Sequence, residues 1–223
     1  MSKVKTTDRS RALFNSLKPK QGVITTQSYL RLEKQISTQS SIQFDVLNNV
    51  GVMTPTEKRL SITDSFVITG LSIFAYTYAT NVANSQEKAV LQTWPNPSVF
   101  AGVGEAASLQ GVYNGYLSVR VNSTVYLDSL DLFRFYRVGT AQKGLTVFTG
   151  SSYQASEFAG GDYGFYSLTP GIELSGATKN EIGITLPSNL AVTPAANHAT
   201  YVVCYLRGFL RQNNAQFNPA GRR

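Results

Sequence analysis

Acid–base, nucleophilic or metal chemistry would have to come from very few residues in this chain. The sequence holds one histidine, His198, and one cysteine, Cys204. His198 lies in Ala195-Ala-Asn-His-Ala, ahead of the last apolar segment, with no nucleophile elbow or paired acid in view, so it reads as a loop histidine and not a general base. Cys204 alternates with Val202 and Leu206, which reads as a core thiol and not a nucleophile. One Cys and one His cannot assemble a zinc site. Gly102-Val-Gly-Glu-Ala-Ala107 spells G-x-G-x-x-A, yet it follows Pro95 and Pro97 instead of a strand, and no βαβ unit surrounds it. Gly160-Gly-Asp-Tyr-Gly164 could lend Asp162 to a calcium ion, but a turn between strands accounts for it better. Asn122-Ser-Thr124 has the form of a glycosylation sequon and reads as a hairpin turn. No enzymatic activity, cofactor or metal is expected.

Charge is the more informative chemistry. The net charge is +7, and its distribution is uneven. Residues 1–34 carry eight basic groups against two acidic ones, residues 35–206 carry eight against eleven, and residues 207–223 add four arginines. A near-neutral body with basic ends suits a protein that holds a polyanion or an acidic partner with its tails. Lys3, Lys5, Arg9, Arg11, Lys18 and Lys20 are the candidate contacts to nucleic acid or a partner. Ser10 could cap a two-turn helix over 11–18, stopped by Pro19, with Leu13 and Leu17 one turn apart. Two turns are marginal alone in water, so a neighbouring subunit, the core, a nucleic acid or a membrane must hold them. Nucleic acid or a neighbouring subunit is favoured over lipid, because two turns offer little apolar area for a membrane hold.

The elements that would position these residues are strands. Residues 65–86 contain no charge. Their apolar core, residues 66–79, could be a transmembrane helix or a long strand. Val67, Ile68, Thr69, Ile73, Phe74, Tyr76, Thr77 and Tyr78 are β-branched or aromatic, which favours the strand, with a bulge at Gly70. Residues 29–36 fit both periods and stay open between strand and helix. Alternation marks further strands at 42–46, 60–62, 117–121, 125–127, 132–138, 145–148, 163–166, 172–174, 182–186 and 201–210. Residues 80–115 are irregular but apolar, an ordered loop that makes the best contact surface, with Trp94 and Phe100 as interface candidates alongside Leu13 and Leu17. The expected organisation is a basic arm at 1–28, an all-β sandwich at 29–211 with the long loop 80–115, and a polar basic tail at 212–223. The lone cysteine and the lack of an apolar signal stretch in the first ten residues suit folding in a reducing cytosol.

Taken together, the arm at 3–20, the segments 59–62 and 65–79, the stretch Leu168-Thr-Pro-Gly-Ile-Glu-Leu-Ser-Gly-Ala-Thr-Lys-Asn-Glu-Ile-Gly-Ile-Thr-Leu186 and the closing strand 200–211 resemble, in architecture and without a diagnostic motif, the jelly-roll capsid proteins of small icosahedral viruses, including tailless bacteriophages. The resemblance implies a structural virion protein made in the host cytoplasm. It implies many copies in an icosahedral shell, other virion proteins as partners, and sequence-independent nucleic-acid contact by the arms. Length favours a single eight-stranded roll over a double one. The competing reading is a carbohydrate- or receptor-binding β-sandwich, spike-like or lectin-like, in which Trp94 and loop tyrosines contact sugar.

Overall fold

The computed structural model describes residues 11, 12, 15, 17, 22–138 and 164–214. Lys3, Lys5, Arg9, Leu13, Lys18, Lys20, Asp162 and the strand expected at 145–148 lie outside these residues.

Among the described residues eight strands follow in chain order: β1 (Ile24–Gln35), β2 (Thr38–Phe44), β3 (Ser65–Ala79), β4 (Tyr116–Val121), β5 (Thr124–Asp131), β6 (Tyr166–Ser175), β7 (Asn180–Ala191) and β8 (His198–Gln212). They form two four-stranded antiparallel sheets, ordered β1-β8-β3-β6 and β2-β7-β4-β5. Only β4 and β5 are consecutive and adjacent, joined by a turn in which Asn122 takes a left-handed φ of 53°. Among the described strands every other consecutive pair lies in different sheets, so every neighbouring pair except β4 and β5 closes a long-range contact.

Alternation explains which faces meet. In the first sheet Leu30, Leu32, Ile68, Leu71, Ile73, Cys204 and Leu206 point inward, and in the second Ile42, Phe44, Leu117, Val119, Ile182 and Ile184 point back at them. The result is one apolar core of sandwich type. β3 is buried on both faces along most of its length, because Phe74 and Tyr76 join a second apolar cluster with Val203 on the outside of the sheet. Double burial is why this segment reads as a continuous apolar run, and it settles the choice between membrane helix and strand in favour of the strand. Among the described residues no helix is long and apolar enough to cross a membrane. The bulge expected at Gly70 is present: the pairing of β3 with both neighbours shifts between Ile68 and Gly70.

Several expectations change. Residues 29–36 are strand almost throughout, within β1, and pairing with β8 reaches back to Ile24, into the last five residues assigned to the arm. The segment 132–138 is not a strand. Asp131 accepts a hydrogen bond from the Phe133 amide at 3.0 Å and starts a 3-10 helix, Leu132–Phe135, whose Leu132 and Phe135 are buried. The loop 80–115 contains a helix, α1 (Glu105–Tyr113), that plugs the sandwich with Leu109, Val112 and Tyr113. Phe100 lies in the same core at 1% exposure, packed within the chain.

Candidate functional site

The outer face of the first sheet carries most of the polar chemistry. Odd-numbered residues of β1 (Tyr29, Arg31, Glu33) share that face with Phe74, Tyr76 and Tyr78 of β3 and with Tyr201, Val203 and Tyr205 of β8. The aromatic rings stack in rows: Tyr29 on Tyr205 at 5.1 Å and Tyr76 on Tyr201 at 5.3 Å. The Lys58 ammonium sits 4.3 Å above the Tyr29 ring, a cation–π contact.

Two carboxylates are buried here with no exposed side-chain surface, Glu33 and Glu57. Glu33 Oε1 accepts from Arg31 Nε at 2.6 Å and Thr56 Oγ1 at 2.8 Å, while Oε2 accepts from Tyr76 at 2.6 Å and Thr54 Oγ1 at 2.7 Å. Glu57 binds Arg59 through Nε and Nη2, both at 2.8 Å, and accepts the Glu33 and Thr54 amides, both at 3.2 Å. Arg59 in turn donates to the carbonyls of Val50 and Val52. Both carboxylates have two donors on each oxygen or an arginine fork, so neither is free to move a proton on a substrate. Their role is to fasten the 45–64 connection onto the sheet. The same connection exchanges two backbone hydrogen bonds with β1, both at 2.9 Å, between Arg31 and Lys58. The network holds a loop tip on which Val50, Val52 and Met53 face solvent, Val52 at 92% exposure. Sequence reasoning missed it, although the like spacing of Arg31-x-Glu33 and Glu57-x-Arg59 places each pair on one face of an extended chain, which was a readable signal.

Burial, then the hydrogen bond to Glu33, raises the Tyr76 hydroxyl far above the ordinary tyrosine range. Burial pushes the Cys204 thiol up to about 12, the opposite of an activated nucleophile. His198 is exposed as the first residue of β8, its Nδ1 2.9 Å from the Ala196 carbonyl. Among the described residues no group of three His, Cys, Asp or Glu side chains comes together to hold a metal.

The glycine-rich stretch has a structural task. Gly104 caps α1 in a left-handed conformation (φ 69°), and the buried Glu105 accepts the Gly102 amide at 2.8 Å and the Thr200 hydroxyl. A Cβ on Gly102 would lie 2.1 Å from the Thr193 carbonyl oxygen, so only glycine lets the two loops touch.

Of the sequence-derived site residues that are described, Arg11 is helical and exposed, Leu17 and Trp94 are half-buried, and Phe100 is in the core. The structure brings none of these four together into a site. Compared with family models, curated proteins and solved structures, the chain gives no match.

Proposed function

We propose that this chain is a jelly-roll shell subunit of a virion. The observation that carries the reading is the strand order, β1-β8-β3-β6 over β2-β7-β4-β5. Eight described strands divided four and four, with all but one consecutive pair placed in different sheets, support a jelly roll, an architecture common in viral capsid and lectin domains. Fold alone does not choose between those two uses. The charge distribution favours the shell: the basic groups gather in the first 34 and last 17 residues, leaving a body with three more acidic than basic groups. In this reading the ends contact packaged nucleic acid or neighbouring subunits, and the exposed apolar tips at Val52 and Val103 are contact points between copies.

The test is sedimentation of the full chain with electron micrographs of the same sample. Closed particles or defined capsomers are expected. A stable monomer that binds glycans on an array overturns the proposal in favour of the lectin-like reading.

A further inference from the structure

The four edge strands of the two sheets are protected unequally. β6 carries Pro170, β2 has a register shift between Gln39 and Ser41, and β5 carries Asp128 and Asp131 and meets β4 with two register shifts. Proline, charge and bulges are the devices that keep an edge from pairing with another chain. Among the described residues β1 is guarded mainly in its second half, where Lys58 bridges to Arg31 and Glu57 takes the Glu33 amide, while the Lys58 ammonium reaches back to Ser28 at 3.0 Å and over the Tyr29 ring. Its first half, from Ile24 to Tyr29, has no proline, no charge and no register shift against β8.

Hydrogen-bond alternation shows which groups this half offers. Arg31 spends its N–H and C=O on Lys58, away from β8. In an antiparallel pair every second residue points the same way, so Thr25, Gln27 and Tyr29 also aim their N–H and C=O groups off the open edge. Ile24, Thr26, Gln27 and Tyr29 are exposed.

We infer that this half-edge pairs with the same half-edge of a second copy, antiparallel about a two-fold axis at Gln27. The inference names a partner contact within the shell-subunit reading and rests on it for biological meaning, though not for its geometry. In that register Gln27 faces its own counterpart, and Thr25 faces Tyr29 of the other copy. Each such pair exchanges two bonds, about six in all. The window closes at both ends together: one residue pair further would set Val23 of one copy against Arg31 of the other, which Lys58 already occupies. Gly22, at φ 77°, turns the preceding chain at the same place. The segment 21–30 is uncharged, so self-pairing sets no like charges opposite one another. Joining the copies makes one eight-stranded sheet, β6-β3-β8-β1 continuing into its symmetry mate.

Two variants of the full chain test this. A hydrogen-bonded antiparallel pair has a Cα separation of about 5.5 Å, within disulfide range. Gln27→Cys should therefore form a covalent dimer under mild oxidation, at least about tenfold faster than Gln39→Cys on the β2 edge. Gln27→Pro removes an N–H that the β8 ladder does not use, and should weaken dimerisation at least about tenfold with melting little changed. If Gln27→Cys crosslinks no faster than Gln39→Cys, the pairing is wrong, whatever Gln27→Pro does to folding. Particles in the wild type without preferential crosslinking sink the pairing and leave the shell reading standing. Crosslinked dimers with no larger assembly support the pairing and sink the shell reading.

Discussion

The hydroxyl of Tyr76 and the carboxylate of Glu33 meet at 2.6 Å across the intervening strand β8, joining the twice-buried strand β3 to the edge strand β1. Tyr76 also receives Gln86 Nε2 at 2.8 Å, so the same hydroxyl connects the 80–115 loop to the ion network that holds the 45–64 connection. Removing one partner of a buried ion pair leaves an uncompensated charge and costs about 3–5 kcal/mol. Glu33→Ala, which strips the acceptor from Arg31, Thr54, Thr56 and Tyr76, should lose that much in guanidinium unfolding. Tyr76→Phe keeps the ring stack and the other Glu33 donors, and should lose about 1.5–3 kcal/mol. Equal losses from the two variants would show that the carboxylate is not the hub.

Alkaline stability follows from the buried acids. Burial raises Cys204 to about 12 and Tyr201 to about 12, and raises Tyr76, Tyr113 and Tyr205 as well. Each folded value lies above the unfolded one, about 8.5 for cysteine and about 10 for tyrosine. The contribution is therefore complete below the unfolded value and is lost as pH rises toward the folded one. Unfolding free energy should begin to fall near pH 8.5, from Cys204 first, with a slope approaching about 1.4 kcal/mol per pH unit for each group. Cys204→Val should remove the decline between about pH 8.5 and 9.5 while leaving the steeper fall above about pH 10, a comparison that denaturant titrations at fixed pH can make.

Gly208 predicts a different kind of failure. It pairs with Ile68 at the point where β3 bulges, and a Cβ there would lie 1.8 Å from the Val67 carbonyl oxygen. That oxygen is backbone between two packed strands and cannot move aside. Gly208→Ala should leave little soluble folded protein. Gly70→Ala, whose nearest neighbour is the flexible Arg207 side chain at 2.7 Å, should fold with a lowered melting temperature. A Gly208→Ala protein that melts like the wild type would remove the close approach from the account.

How legible these features were depended on whether one face of an element met water. β4 and the end of β2, residues 42–44, alternate cleanly because one face is buried and the other is not, and they read as strands. β1 stayed ambiguous because Glu33, a charged residue, is buried on the outer face, which hides the period of two. The helix α1 was invisible for a related reason. Its inward face includes Glu105, and Gly111 sits mid-helix where a Cβ would come within 2.8 Å of Leu190, so composition argued against a helix that packing requires. The bulge at Gly70 could be read from the change of register in β3 itself. Its counterpart Gly208 could not, since nothing in the segment 201–210 says which strand crosses it. The unprotected half of β1 is likewise a property of the assembled sheet, because an edge exists only once the strand order is known.

The boundary of the arm gives the last prediction. The apolar core draws on β1 from Leu30 onward, but β1 itself starts six residues earlier, and Ile24 through Ser28 pair with Gln212 through Gly208. Deleting residues 1–21 leaves this pairing whole, whereas deleting 1–28 strips five residues from the β8 ladder and exposes the backbone of a strand that is otherwise interior. The shorter deletion should keep the melting temperature within a few degrees, and under the proposed shell function it should impair particle formation, since it removes Lys3, Lys5, Arg9, Arg11, Lys18 and Lys20. The longer one should lower the melting temperature markedly and promote aggregation through the bared edge of β8. Salt dependence separates the two contributions of the shorter arm: if its cations neutralise phosphates, restoring the six basic residues should steepen the slope of log affinity against log salt by about 0.7 per contact on single strands and about 0.9 on duplex. Aggregation of the 1–21 deletion as unfolded protein would place the arm inside the fold, and an unchanged salt slope would remove nucleic acid from its list of partners.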